Sequence, residues 1–134
     1  MFKYASKKCI ANNFVAELLQ DDVVHYQFKD NCVVKFQDIY EAMEIDQQLS
    51  NSHPLKRIIE PGYHTTITSP ARRLLEKQSG KAHCEAYVLK TPAQKILFHF
   101  YKKWRKSNYP IRSFESVDEA FKWISETDLK SCLS

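Results

Sequence analysis

Glycine is scarce in this chain: its 134 residues include only two, Gly62 and Gly80. Walker and Rossmann phosphate loops need several glycines, because backbone amides must approach the phosphate with no Cβ in the way. Both loops are therefore excluded. Long apolar runs are missing too. No stretch approaches the ~18 residues that span a bilayer, and the opening MFKYASKKCIANN lacks the apolar block of a signal peptide. The expected location is the cytoplasm. Paired cysteines are also absent: Cys9, Cys32, Cys84 and Cys132 are scattered with no C-x-x-C spacing. They read as free thiols, and neither a metal site nor a cofactor is expected.

Charge of one sign does not dominate. Twenty Lys and Arg against sixteen Asp and Glu leave +4, which permits an acidic partner without requiring one. What is present is ordinary globular material, 43% hydrophobic and 27% charged, in a length that buries a core without staples. One domain over residues 1–134 is expected, with its core at about 14–126 and frayed ends.

The apolar pattern gives the order ββαβαβαβα. Residues Phe14 to Leu19, a turn at Asp21-Asp22, and the alternating Val24, Tyr26 and Phe28 form a hairpin. Phe36, Ile39, Tyr40, Met43 and Leu49 recur with helical spacing, and that helix should stop between Asn51 and Pro54. Leu55 to Glu60, with Ile58-Ile59 inside it, reads as a buried strand broken by Pro61-Gly62. Ser69-Pro70 reads as an N-cap followed by proline at the first helical position, with Ala71, Leu74 and Leu75 as the core stripe and Gly80 as the stop. Cys84 to Leu89 is a strand buried on both faces.

Thr91-Pro92-Ala93-Gln94 is a capping box, and Ser116-Val117-Asp118-Glu119 is another. The first opens a helix to about Ser107 whose core stripe is Ala93, Ile96, Leu97, Phe100 and Trp104. The second opens a helix with Val117, Ala120, Phe121 and Ile124 inward. Tyr109 to Phe114 is the strand between them. The β-α-β crossovers imply an α/β fold with a four- to five-stranded, mostly parallel sheet.

This order, together with Ser69-Pro70-Ala71-Arg72-Arg73, the helix through Phe98 and Phe100, and the closing run from Pro110 through Phe114, Glu119 and Trp123 to Ile124, resembles small bacterial STAS-like proteins. These form the SpoIIAA-like, STAS/SEC14-like group of unknown function, and the resemblance covers roughly residues 14–126. It implies a helix-packed sheet and a role in protein–protein recognition, in which anti-sigma-factor antagonists of this fold bind a kinase-like partner. Those proteins are switched by phosphorylation in an Asp-Ser-(Ser/Thr)-Gly motif that opens the second helix. Here the matching stretch is Thr65-Thr66-Ile67-Thr68-Ser69-Pro70, which keeps the hydroxyls without the aspartate or glycine. Ser69 is the positional match.

The candidate switch or partner surface is therefore Thr65, Thr66, Thr68, Ser69, Arg72 and Arg73. A phosphate on Ser69 would face free helix amides with two arginines nearby, while an unmodified Ser69 would simply cap the helix. Phe98 and Tyr101 lie off the assumed core stripe and form a candidate dimer or partner surface. Lys95, Lys102, Lys103, Arg105 and Lys106 make the long helix basic. Four of them sit in its last turns, where cations complement the dipole, so a solvated face is expected and nucleic acid is not the expected partner.

His53, His64, His83 and His99 do not form a metal pattern, and His83-Cys84 are adjacent on a strand and point to opposite faces. No catalytic residues are assigned. The reading is a noncatalytic regulatory or interaction domain with a protein partner, homodimerisation included. The first alternative is a small-ligand or lipid-binding domain, with peripheral lipid contact left open and an internal apolar cavity as the discriminator; the second is an enzyme, which would need a cleft gathering His64 with Cys84 or with the Ser69 region.

Overall fold

The computed structural model describes residues 8–49, 55–77, 82–104 and 109–133. The elements in chain order are β1 (Lys8–Ile10), β2 (Phe14–Leu18), β3 (Val23–Phe28), β4 (Val33–Val34), α1 (Phe36–Leu49), β5 (Leu55–Glu60), β6 (Thr66–Ile67), α2 (Ser69–Lys77), β7 (Ala82–Val88), α3 (Pro92–Trp104), β8 (Ile111–Phe114) and α4 (Val117–Leu133). The main sheet runs β1-β2-β3-β5-β7-β8, and β4 and β6 form a separate two-stranded ladder.

The expected hairpin is the β2–β3 pair, in which Phe14, Ala16 and Leu18 alternate onto a buried face. Its turn is a short 3-10 segment, Gln20–Asp22, in which Asp22 takes φ 61°. Aspartate tolerates that left-handed conformation better than most residues. Beyond the hairpin, β3, β5, β7 and β8 are parallel neighbours. The sheet thus has six strands rather than four or five, because β1 adds an antiparallel edge before the expected start of the core. The short β4 and β6 strands are not apparent in the apolar pattern, since two-residue strands show no period.

Strand register fixes what each face carries. Tyr26, Ile59 and Tyr87 lie in one row across the sheet, and His25, Ile58 and Ala86 lie in the next row on the opposite face. The first face is covered by α1, whose Ala42, Ile45 and Leu49 pack on the hairpin core, and by α3 through Phe98 and Tyr101. Parallel strands that advance in one direction with right-handed crossovers place their helices on one side. The other face is left for α4, whose Ala120 and Ile124 cover Val23, Ile58, Cys84, Ala86 and Val88. Helix α2 packs on α1, with Ala71, Leu74 and Leu75 against Ile39, Met43 and Val34.

Two expected helix stripes need correction. On α1, Ile39 is buried, but Phe36 and Tyr40 are exposed. The inward side is shifted to Asp38, Ile39, Ala42, Ile45 and Leu49, because α1 must bury against both the hairpin and α2. On α3 the change is larger: Ile96, Leu97 and Phe100 are 59%, 64% and 53% exposed, while Phe98 and Tyr101 face the sheet. The expected stops near Asn51 to Pro54, at Gly80 and at Ser107 lie outside the described residues.

Candidate functional site

The junction between β6 and α2 is built by backbone pairing. The Thr66 amide donates to the Cys32 carbonyl at 3.0 Å, and the Thr68 amide to that of Val34 at 3.0 Å. The Thr65 hydroxyl donates to the Lys29 carbonyl at 2.9 Å. Because Thr68 still belongs to the ladder through its own N–H, its side chain is the first that can fold back over the helix. Its Oγ1 accepts from the Ala71 amide at 3.3 Å, and its carbonyl accepts from the Arg72 amide at 3.0 Å. Thr68 is therefore the cap, which corrects the assignment to Ser69. Ser69 is the first helical residue and is exposed.

A direct consequence is that Thr68→Ala should cost about 1 kcal/mol in urea denaturation, whereas Ser69→Ala should stay within about 0.5 kcal/mol of wild type. Equal losses would return the cap to Ser69. Thr66, Ser69 and Arg73 point to solvent, and Arg72 pairs with Glu76 one turn on at 3.8 Å. Exposed Val33, Ile67 and Phe36 border the same corner of the fold.

Helix α3 starts as its sequence directs. The Gln94 amide donates to Thr91 Oγ1 at 3.1 Å, and Gln94 Oε1 accepts from the Lys90 amide at 2.6 Å. The same side chain donates through Nε2 to the Gly62 carbonyl at 2.9 Å, which ties the helix start to the loop after β5. Inward, Phe98 and Tyr101 pack on Tyr87 with ring centroids 5.0 and 5.8 Å away, and the hydroxyls of Tyr87 and Tyr101 hydrogen-bond at 3.2 Å. The candidate surface at Phe98 and Tyr101 is thus half-buried against the sheet. The exposed apolar side chains of the helix are instead Ile96, Leu97 and Phe100, beside exposed Ala93. Lys102 and Lys103 are exposed, and Lys95 pairs with Glu115 at 3.1 Å. Arg105 and Lys106 lie outside the described residues.

Beneath α1 and α3 lies a polar network that the apolar pattern does not reveal. Register sets Arg57 of β5 beside Glu85 of β7. The Arg57 guanidinium donates to Glu85 Oε2 at 2.6 Å and, through Nε, to Asp46 Oδ2 of α1 at 2.7 Å. Glu85 is 1% exposed and also accepts from the Tyr109 and Tyr87 hydroxyls, at 3.2 and 3.3 Å. Asp46 accepts the Tyr26 hydroxyl, which also reaches the Ala42 carbonyl. Burial alone would lower the Arg57 pKa, but the carboxylates of Asp46 and Glu85 outweigh it and push it up. For Tyr26, burial and then the Asp46 charge both push the phenol far up, so it remains a donor. The legible signal is a charge in each of two strands otherwise read as buried: a buried ion demands a partner.

A second cluster sits on the α4 side, at the carboxyl end of the parallel strands. His25 Nε2 is 2.9 Å from Glu60 Oε1, and Lys90 Nζ is 2.8 Å from Glu60 Oε2 and lies over the Tyr63 ring at 5.7 Å. Burial alone would raise the Glu60 carboxyl, but hydrogen bonds from Lys90 and His25 outweigh it and hold it below its ordinary 4.5. The bond to Glu60 in turn raises the Lys90 ammonium, despite its partial burial. With a depressed folded pKa, Glu60 contributes stability above its ordinary pKa and loses it as pH falls through the folded value. Glu60→Gln should therefore be less stable than wild type at neutral pH, with the gap narrowing in acid. A gap independent of pH would count against the ionic role.

The other residues considered from sequence do not converge. Among the described residues, no three His, Cys, Asp or Glu side chains gather into a metal-holding group. Cys9 and Cys32 are free thiols, and Cys84 belongs to the core under α4. His64 takes φ 59° in the exposed loop after β5, and His53 lies outside the described residues. No helix among the described residues is long and apolar enough to cross a membrane.

In structure, the chain is similar to an uncharacterised protein of the DUF3478 family from Shewanella loihica that has a SpoIIAA-like fold. The TM-score is 0.57 at 16% identity, covering 86% of this chain and 98% of that one. The shared SpoIIAA-like fold agrees with the resemblance seen in the sequence. No curated protein matches the chain significantly. The sequence profile of a domain of unknown function, DUF7793, matches residues 18–128, and the chain belongs to that family.

Proposed function

We propose that the chain is a noncatalytic protein–protein interaction domain whose partner docks on the outward side of α3. The observation that carries this reading is the exposure of Ile96, Leu97 and Phe100 together on one helix. Isolated exposed apolar residues are common, but three large ones at i, i+1 and i+4, beside exposed Ala93, make a continuous stripe of the kind found at interaction sites. The inward side of the same helix already satisfies its contacts with the sheet through Phe98 and Tyr101, so the outward stripe is surplus to the fold. The small-ligand alternative finds less support, because salt-bridged Arg57, Asp46 and Glu85 with their tyrosines occupy the sheet face beneath α1 and α3. The exposed Thr66, Ser69 and Arg73 corner is the place where a regulatory modification would act.

The test is site-specific photo-crosslinking in the native host, with the crosslinker at position 97 or, as the control, at exposed Ser125 on α4. A discrete protein adduct is expected from position 97 alone, and Ile96→Glu should abolish it while leaving the urea midpoint unchanged. Identical adduct patterns from the two positions would sink the reading.

A further inference from the structure

We propose that the occupant of the α3 face is an acidic amphipathic helix of another protein, docked antiparallel to α3. This rests on the interaction reading above and adds the chemistry of the partner. Ala93, Ile96, Leu97 and Phe100 stand at i, i+3, i+4 and i+7 over the 13 residues of α3, the spacing with which one helix meets another along a seam. The complement of such a seam is a second apolar seam of the same period.

Charge then selects among helices. Helix α3 contains no Asp or Glu, and exposed Lys103, one turn beyond Phe100, flanks the seam at its C-terminal end. An antiparallel partner brings its own first turn to that end. Acidic side chains are stabilised in a first turn by the helix dipole, so the partner's best position for acid coincides with Lys103. A second copy of α3 lacks this complement. Its first turn, Pro92 to Lys95, carries no acid to meet Lys103.

Two synthetic helical peptides with one shared Leu/Ile seam test the proposal, one bearing Glu in its first turn and flanks and the other Lys. Binding to the full chain is read by fluorescence anisotropy. The acidic peptide should bind at least about tenfold tighter at low salt, with the preference shrinking as salt rises. Leu97→Glu should remove binding, and Lys103→Glu should remove the preference for the acidic peptide. Sedimentation of the free chain and its co-sedimentation with equal-part phosphatidylglycerol and phosphatidylcholine vesicles complete the set.

Failure of both peptides to bind, or equal binding of the two, overturns the acidic-helix proposal. So does a wild-type dimer that Leu97→Glu dissociates, or vesicle binding without peptide preference. A protein adduct at position 97 alongside any of these results keeps the interaction reading and discards only the partner chemistry.

Discussion

Arg57→Met should cost the fold about 3–5 kcal/mol, because it strands the carboxylates of Asp46 and Glu85 without the cation that joins them. Methionine fills much of the arginine volume, so the loss reports charge more than cavity. Native domains hold only about 5–15 kcal/mol in total, so the urea midpoint should move far or the far-UV signal should collapse outright. Arg57→Lys should recover a minor part, since one ammonium cannot reproduce a fork that reaches two acids on different elements. The companion Glu85→Gln should be milder in the Arg57→Met background than alone, because removing a stranded charge is then a relief. A loss below about 1 kcal/mol for Arg57→Met would mean that the three groups are not a buried unit.

Gly62→Ala should destabilise by roughly 1–3 kcal/mol through forced overpacking. An added Cβ would lie 2.6 Å from Asp30 Oδ1, 2.7 Å from the Asp30 nitrogen and 2.7 Å from the Lys29 carbonyl carbon. Two of those atoms are backbone and cannot swing aside as a side chain can. The loops after β3 and β5 are further tied there by the Tyr63 amide donating to Asp30 Oδ1 at 2.8 Å and the Asn31 amide to the Tyr63 carbonyl at 2.8 Å. Through its carbonyl, Gly62 also accepts the Gln94 side chain that anchors the start of α3. The substitution should therefore lower the urea midpoint and shift the amide resonances of Asn31 and Gln94 together. An unchanged midpoint would show that the loops do not approach this closely.

Much of the architecture was legible because it depends on short-range chemistry. Thr91 and Ser116 cap α3 and α4 as their neighbours predicted, with Gln94 and Glu119 folding back on the amides that precede each cap. Strand β7 is buried on both faces, as its run from Cys84 to Leu89 implied. The cap of α2 was misplaced by one residue, since the β4–β6 ladder that carries Thr68 into the turn pairs segments over thirty residues apart, beyond the reach of any local pattern.

The residues of α3 show the same division. The sequence of α3 offers two apolar stripes, one through Ala93, Ile96, Leu97 and Phe100 and a shorter one through Phe98 and Tyr101. Periodicity favours the longer. The sheet beneath, however, presents Tyr87 over buried Glu85, and Tyr101 meets that polar-tipped surface with an aromatic ring and a hydroxyl that aliphatic side chains cannot supply.

By itself the sequence determined the alternating α/β order, the helix starts and the exclusion of glycine-rich phosphate loops, because caps, periods and glycine counts are properties of neighbouring residues. Tertiary structure alone decided that Arg57, Asp46 and Glu85 share one buried site, that α4 takes the opposite face of the sheet, and that Ile96, Leu97 and Phe100 remain in water. The reason is physical: a helix turns inward the side that best satisfies the surface it meets, and strands far apart in the chain make that surface.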